Sequence, residues 1–395
     1  MAVTETTGVP TAEEILARAE ALVPALAARA ERVEEERRVP DETMEDLRAA
    51  GLLNAVSPPS VGGPGHGVPE LGQIVRTLAH GCASTAWVYG FLVGHNAILV
   101  RDAPDLLDAS GFHAAAASAG IQGNPSVTAT PVEGGWRVTG TWKFLSGILN
   151  AEHVLLITLQ DNGDDDPTPI GLTVPVAAGE IEDVWRWTGM RGTASNTFHL
   201  TGAFVPAHRQ WSLPGLEPVN APVVDSRMNV PTGRLFKVIT NGVAVGIAEQ
   251  AVADFRARIL TRVVGYGQGP QREHREAWAR YADAVIRLKT ARLLWDDMVD
   301  MVARTAAPDV ELTVEEGAMV RLAESRVPAL AREAVQVVMD GSGSSVNHLD
   351  DPLQRQVRDL DTVKSHSTLH WDHAAVTAGA TLLGIEGYAD SLIVS

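Results

Sequence analysis

The chain has 395 residues, too many for one minimal domain, and its 45% hydrophobic and 21% charged residues match a globular protein with a sizeable core, which excludes extended disorder. A net charge of -17 argues against a nucleic-acid or anionic-membrane surface, and the single cysteine, Cys82, excludes an intrachain disulfide and a thiolate metal cluster. The first ten residues lack the basic and apolar stretches of a targeting segment, and no run reads as the roughly 18 apolar residues of a membrane span, so the expectation is a cytoplasmic protein with no membrane partner.

Thr11 and Glu14 form a capping-box pattern, and Ile15, Leu22 and Leu26 then recur near helical spacing ahead of a charged run over residues 31–38. Pro40 and Asp41 restart a second helix, and Pro58, Pro59, Gly62, Gly63, Pro64 and Gly65 break residues 52–67 into a loop. Residues 69–80 and 84–100 read as buried helices rich in small side chains. From about Ala115, β-branched and polar residues alternate. Residues 127–132 and 136–144 read as a hairpin around Glu133-Gly134-Gly135, with Trp136, Val138, Trp142 and Phe144 on one face. Residues 153–159, 170–176 and 197–205 supply further strands, and residues 161–169 an acidic loop. Beyond Val230 the helical period returns: Ile247, Ala251, Phe255 and Ile259 lie four apart, residues 277–304 form a long helix, and Thr313 with Glu316 caps another. The fold class is therefore α+β, in three units: a helical domain at 11–114, a β domain at 115–215 and a helical bundle at 230–390.

Within this frame, Gly140-Thr-Trp-Lys-Phe-Leu-Ser146-Gly147, then Gly189-Met-Arg-Gly-Thr-Ala-Ser195-Asn196, then Phe204-Val-Pro206, resemble the middle domain of the acyl-CoA dehydrogenase superfamily. Pro352-Leu-Gln-Arg355, Arg358-Asp359 and His366 resemble the C-terminal signature of its flavin-dependent monooxygenase branch, the oxygenase components of hydroxyphenylacetate, phenolic steroid and polyketide hydroxylases. The segment from Gly81 to Gly90, leading to His95, is also similar to that branch. The resemblance implies an N-terminal helical domain, a middle β-barrel or sandwich and a C-terminal four-helix bundle. It further implies an enzyme that uses reduced flavin (FMNH2 or FADH2) and dioxygen to hydroxylate an aromatic small-molecule substrate, phenolic or polyketide-like, through a flavin C4a-hydroperoxide. No GxGxxG or GxxxxGK[ST] fingerprint is in view, so reduced flavin is expected from a separate reductase.

Site residues follow from the same resemblance. Phe144 and Leu145 lie where the family packs residues beside the flavin ring, and Ser146 falls on the hydroxyl that faces flavin N5. Beside Gly147, the strand end leaves room for a planar ligand. His366 falls on a histidine that sits over the flavin and bonds substrate or peroxide; it and His370 stand four apart, which on a helix puts both on one face. A metal pair is not expected, because Ser367 stands where a zincin needs Glu. His95, Trp87 and His370 are candidate substrate contacts, with core packing as the alternative; His366, Ser146 and His95 are the catalytic candidates, the two histidines helping to remove a phenolic proton or to orient the substrate, and His370 falls where many relatives carry asparagine. Arg262 and the Gly341-Ser342-Gly343 loop resemble family elements that reach a neighbouring subunit's flavin phosphates, which implies a homotetramer.

Three other readings stay open: an acyl-CoA dehydrogenase or oxidase, an N-oxygenase of an amine or amino sugar, and a flavin- or ligand-binding protein that has kept the fold and lost the activity. The first needs a carboxylate base, often eight residues after the Arg-Asp pair, but that position is Ser367; Glu249 and Asp254 are the nearest acids on the helix that carries the base in some dehydrogenases.

Overall fold

The computed structural model describes residues 9–102, 115–118, 127–161, 168–211, 226–265 and 267–388. The core of the expected acidic loop (162–167), Tyr266 and the segment 212–215 lie outside them.

The first helix, α1 (Ala12–Glu36), starts where both halves of the capping box close: the Thr11 N–H donates to Glu14 at 2.8 Å and the Glu14 N–H to Thr11 Oγ1 at 3.2 Å. Its buried stripe, Ile15, Ala19, Leu26, Ala30 and Val33, keeps the spacing of one helix face. α2 (Asp41–Ala49) follows, then a loop holding one 3-10 turn (Pro59–Val61), then α3 (Val68–Gly81) and α4 (Ala83–Asp102). Small residues set how closely these helices pack: a Cβ on Gly246 would lie 2.2 Å from the Arg76 carbonyl oxygen, so the backbones of α3 and the later α5 meet directly there.

The sheet contains β1 (Ala115–Ser118), β2 (Thr128–Val132), β3 (Gly135–Leu145), β4 (His153–Gln160), β5 (Thr168–Pro175), β6 (Glu180–Glu182), β7 (Asn196–Pro206) and β8 (Gln210–Trp211). Its order is β6-β7-β3-β2-β4-β5-β8, with β1 added on β4; β1–β4 and β2–β4 are parallel and the remaining pairs antiparallel. Side chains from strands across this path, among them Val138, Trp142, Leu156, Leu172, Phe198 and Leu200, form one cluster, so the sheet curls around its own core.

One expectation about β3 is corrected. Trp142 is buried, but Phe144 leaves the shared face: its φ is 64°, the pairing with β7 shifts between Trp142 and Leu145, and Phe144 is 61% exposed while Leu145 is fully buried. The bulge inserts a residue and inverts the alternation just before Ser146.

The C-terminal helices are α5 (Thr232–Thr261), α6 (Arg275–Arg304), α7 (Val314–Ser342), α8 (Pro352–Lys364) and α9 (Trp371–Leu382), with a short hairpin of β9 (Val263–Val264) and β10 (Gly269–Pro270) that the sequence pattern did not announce. Thr313 caps α7 through the expected box. Ile74, Ile239, Trp295 and Val335 belong to a single core, so the helices before and after the sheet pack together. The membrane expectation needs one amendment: α5 is long and apolar enough to cross a bilayer by length and composition, yet 83% of its most apolar window is buried inside the fold.

Candidate active site

α4 projects Trp87, Phe91 and His95 at steps of four, one side of the helix. Trp87 stacks on Phe91 with ring centroids 4.8 Å apart; Phe91 meets His95 edge-on at 5.7 Å, and Phe236 of α5 closes on both at 5.0 and 4.7 Å. The resulting wall is apolar except for the His95 ring and the Trp87 N–H, and two of the three candidate substrate residues, Trp87 and His95, lie in it. The Trp87 N–H donates to Ser146 Oγ at 3.1 Å, which ties the wall to the end of β3.

Ser146 is held from below by hydroxyls of the loop that precedes β7. Its Oγ lies 2.8 Å from Ser195 Oγ, which lies 2.8 Å from Thr193 Oγ1, and Thr193 donates to the Met190 carbonyl at 2.9 Å. The Gly147 N–H, at a φ of 76°, donates to the Thr193 carbonyl at 2.7 Å and fixes the turn.

His366 reaches the same place, since its ring lies 5.9 Å from that of Trp87. It does so from a turn, which corrects the helical reading: α8 ends at Lys364, His366 opens a 3-10 turn (Ser367–Leu369), and His370 precedes α9. His366 and His370 therefore share no helix face, and His370, expected as a substrate contact, is exposed, with its ring 5.5 Å from His373. At His366, Nδ1 accepts from the Thr368 N–H at 3.4 Å and lies 2.9 Å from Thr368 Oγ1. A backbone N–H can only donate, so these contacts assign the neutral ring its proton on Nε2. Burial, reinforced by the nearby Lys237 ammonium, lowers the proton affinity of His366 below the ordinary histidine value.

Lys237 belongs to a buried charge network that the sequence reading missed. Its ammonium donates to Glu324 at 3.0 Å, with the two residues 5% and 1% exposed; Arg321 meets the same carboxylate oxygen at 3.1 Å and donates to the Thr368 carbonyl at 3.3 Å. The available signal was a lysine inside the apolar start of α5 and a glutamate amid the small residues of α7.

A second missed feature is an aromatic platform outside Ser146. The rings of Trp185 and Trp187 stack at 4.2 Å, and the exposed Phe144 ring stands edge-on to both, at 6.3 and 6.2 Å. Leu145, placed beside Phe144 in the sequence reading, has its side chain in the sheet core and can offer a ligand only its main chain.

Arg262, Gly341, Ser342 and Gly343 come together elsewhere. The Arg262 guanidinium donates to the Ser342 carbonyl at 2.7 Å, Gln271 donates to the Gly341 carbonyl at 2.9 Å, and Gly343 ends α7 with a φ of 78°. The guanidinium has five donors, so this contact leaves others for an anion.

The Arg358-Asp359 pair serves the architecture. Arg358 binds Glu34 of α1 and the Thr188 carbonyl, and Asp359 accepts the Met190 N–H at 2.5 Å. A Cβ on Gly189 would lie 2.0 Å from the Arg358 carbonyl oxygen, which explains the glycine. Burial pushes Asp359 up to about 6. A raised folded-state pKa favours folding below the unfolded value of about 3.9, and that contribution, about 3 kcal/mol, is lost as pH rises through about 6. Asp359→Asn keeps the acceptor for Met190 and removes the titration. Thermal unfolding at pH 4.5 and pH 7 is expected to show a smaller difference for the variant than for the parent; equal differences would contradict this.

The acids that a dehydrogenase would need are otherwise engaged. Ser367 is exposed. Glu249 is bound by Arg76 at 3.0 Å, His80 at 2.9 Å and Arg292 at 3.4 Å; burial pushes its pKa up, but these partners more than offset that and hold it low. Asp254 accepts from Gln250 at 2.8 Å and is pushed up by burial. It borders a cleft of about 360 Å³ between α1, α5 and α8, whose walls include neither Ser146 nor His366.

Residues 10–101 match the acyl-CoA dehydrogenase N-terminal domain and residues 238–371 the acyl-CoA dehydrogenase C-terminal domain. The chain is 28% identical over 382 residues to the oxygenase component of an FADH2-dependent resorcinol hydroxylase from Rhizobium sp. (strain MTP-10005), covering 90% of this chain and 91% of the relative. It is 26% identical over 381 residues to the oxygenase component of p-hydroxyphenylacetate 3-hydroxylase from Acinetobacter baumannii, covering 94% and 89%. Among solved structures, 3-HSA hydroxylase from Rhodococcus sp. RHA1 superposes with a TM-score of 0.81 at 26% identity, covering 94% of this chain and 97% of that one. XiaF from Streptomyces sp., in complex with FADH2 and glycerol, shares the fold with a TM-score of 0.85 at 24% identity, covering 95% and 96%. The chain belongs to the acyl-CoA dehydrogenase superfamily, on the branch of the oxygenase components of flavin-dependent hydroxylases.

Proposed function

We propose that this protein is the oxygenase component of a two-component flavin-dependent monooxygenase that hydroxylates an aromatic small molecule, with a separate reductase delivering reduced flavin. The observation that carries the reading is the convergence of Ser146 and His366 on Trp87, itself part of the apolar aromatic wall, with the exposed Phe144 ring two residues before Ser146 in the chain. The residues fit a flavin: the Phe144 ring and the Trp187 indole offer flat apolar surface beside a strand end, and Ser146 offers a hydroxyl at its edge. The FADH2-dependent resorcinol hydroxylase named above points to the same cofactor.

Reduced flavin, when bound, supplies the two electrons with which dioxygen is split between a hydroxyl on the substrate and a molecule of water. The chain's own contribution is positioning and shielding. Trp87, Phe91 and Phe236 exclude water from the side where the substrate ring lies, which suppresses loss of reducing equivalents as hydrogen peroxide. His366, protonated at Nε2, donates a hydrogen bond to substrate or reacting oxygen; in this tautomer it is not the base that removes a phenolic proton. His95 is the remaining imidazole on the wall and is proposed as a contact for a substrate hydroxyl. Arg262 with Gly341, Ser342 and Gly343 is proposed as an anion site serving the flavin of a neighbouring copy in a tetramer.

The test supplies reduced flavin and oxygen with simple phenols, among them resorcinol and p-hydroxyphenylacetate, and counts hydroxylated product against hydrogen peroxide. Product in substantial yield for at least one phenol is the expected result. Peroxide alone with every phenol, together with flavin reduction by an acyl-CoA, would replace this reading with a dehydrogenase.

A further inference from the structure

The hydroxyls beneath Ser146 can be assigned their protons one by one. Each serine or threonine hydroxyl has a single proton to donate, whereas an indole N–H cannot accept and a carbonyl cannot donate. Thr193 Oγ1 lies 2.9 Å from the Met190 carbonyl oxygen, a contact between two oxygens that requires the Thr193 proton between them. With that proton committed, the 2.8 Å contact between Thr193 and Ser195 must use the proton of Ser195. With that one committed in turn, the 2.8 Å contact between Ser195 and Ser146 must use the proton of Ser146. At the far end the Trp87 N–H donates to Ser146. The chain runs one way, from Trp87 through Ser146, Ser195 and Thr193 to Met190, and all four side chains are buried, so water is not at hand to rearrange it.

Ser146 consequently has no proton left for a ligand, but it keeps one lone pair. We infer that the Ser195–Thr193 relay makes Ser146 an obligate hydrogen-bond acceptor, and that this polarity makes the site select reduced over oxidised flavin. The inference rests on the proposed function, with Ser146 at flavin N5. Reduced flavin carries a proton on N5 and can donate to Ser146; oxidised flavin has only a lone pair there, so two acceptors would face each other in a desolvated place. Ser195 and Thr193 are thus positioning residues, acting on the flavin through Ser146. A two-component oxygenase needs this preference, because its cofactor must arrive reduced and leave once oxidised.

Two substitutions release the Ser146 proton by different routes. Ser195→Ala removes the group that takes it. Thr193→Val removes the acceptor of the Ser195 proton, which can then turn back toward Ser146 and free the Ser146 proton for the ligand. Dissociation constants of the parent for FMN and FAD, each oxidised and, without oxygen, reduced, are measured by equilibrium ultrafiltration, then repeated for both variants and for Ser195→Thr. The parent is expected to bind the reduced form more tightly. In Ser195→Ala and Thr193→Val the ratio of the two constants is expected to shrink about tenfold, mainly through tighter binding of oxidised flavin, while Ser195→Thr keeps the parent ratio. A ratio unchanged in both variants, or a parent indifferent to redox state, would overturn the inference and leave the functional reading standing. Failure of the parent to bind either flavin in either state would overturn both.

Discussion

Replacing His366 by alanine is expected to lower the hydroxylated product formed per reduced flavin about 100-fold, with hydrogen peroxide making up the balance. The size follows from the loss of one preorganised donor in a site that excludes water, where such a group is worth far more than in solution. The structure gives His366 three features suited to that task. Its ring is fixed against Trp87, its Nδ1 is engaged by Thr368, and burial with the Lys237 charge holds it below the ordinary histidine pKa, so it is neutral at pH 7 with its proton on Nε2. His366→Gln keeps a donor at similar reach and is expected to recover part of the yield, which separates a lost hydrogen bond from a collapsed turn. Ser146→Ala is expected to release about 10-fold more peroxide while leaving the aromatic wall in place. Unchanged coupling in both alanine variants would remove these residues from the chemistry, whatever the fate of the flavin.

What could be read ahead of the structure was what depends on neighbours in the chain. The Thr11 and Thr313 capping boxes formed as expected because both partners of each lie within one helical turn. The period-four stripe of Ile247, Ala251, Phe255 and Ile259 is buried for the same reason. Phe144 escaped the period-two rule because its direction is set by the pairing of β3 with β7, some 50 residues away, where a bulge absorbs one residue. The turn at His366 was hidden because residues 364–370 contain neither glycine nor proline, so nothing local marked the end of α8. The partners of Ser146 and Lys237 were hidden by distance along the chain: Ser195 follows Ser146 by 49 residues and Glu324 follows Lys237 by 87. Ser195 did lie inside a motif singled out for its resemblance, but only the folded hydroxyl chain gives it a task.

Glu324→Gln is expected to produce the largest loss of stability, about 3–5 kcal/mol at pH 7, because it leaves the Lys237 ammonium buried with no countercharge in contact. The effect should depend on pH with a sign that identifies its cause. In the parent, burial already lowers the proton affinity of Lys237, with Glu324 working against that shift. Without Glu324 the folded-state pKa falls further, the unfolded chain then binds more protons than the folded one, and stability rises with pH toward the unfolded lysine value of about 10.4. Denaturant unfolding of the variant at pH 7 and pH 9 should therefore show part of the loss recovered at the higher pH. A second change tests the same point: adding Lys237→Met to Glu324→Gln removes the stranded charge, and the double variant should be more stable at pH 7 than Glu324→Gln alone. Because Arg321 spans Glu324 and the Thr368 carbonyl, the single variant also loosens the turn that carries His366, so its product yield should fall along with its stability. A Glu324→Gln protein as stable as the parent, with no difference between pH 7 and pH 9, would mean that Lys237 sheds its proton in the parent and that the pair is not an ion pair at all.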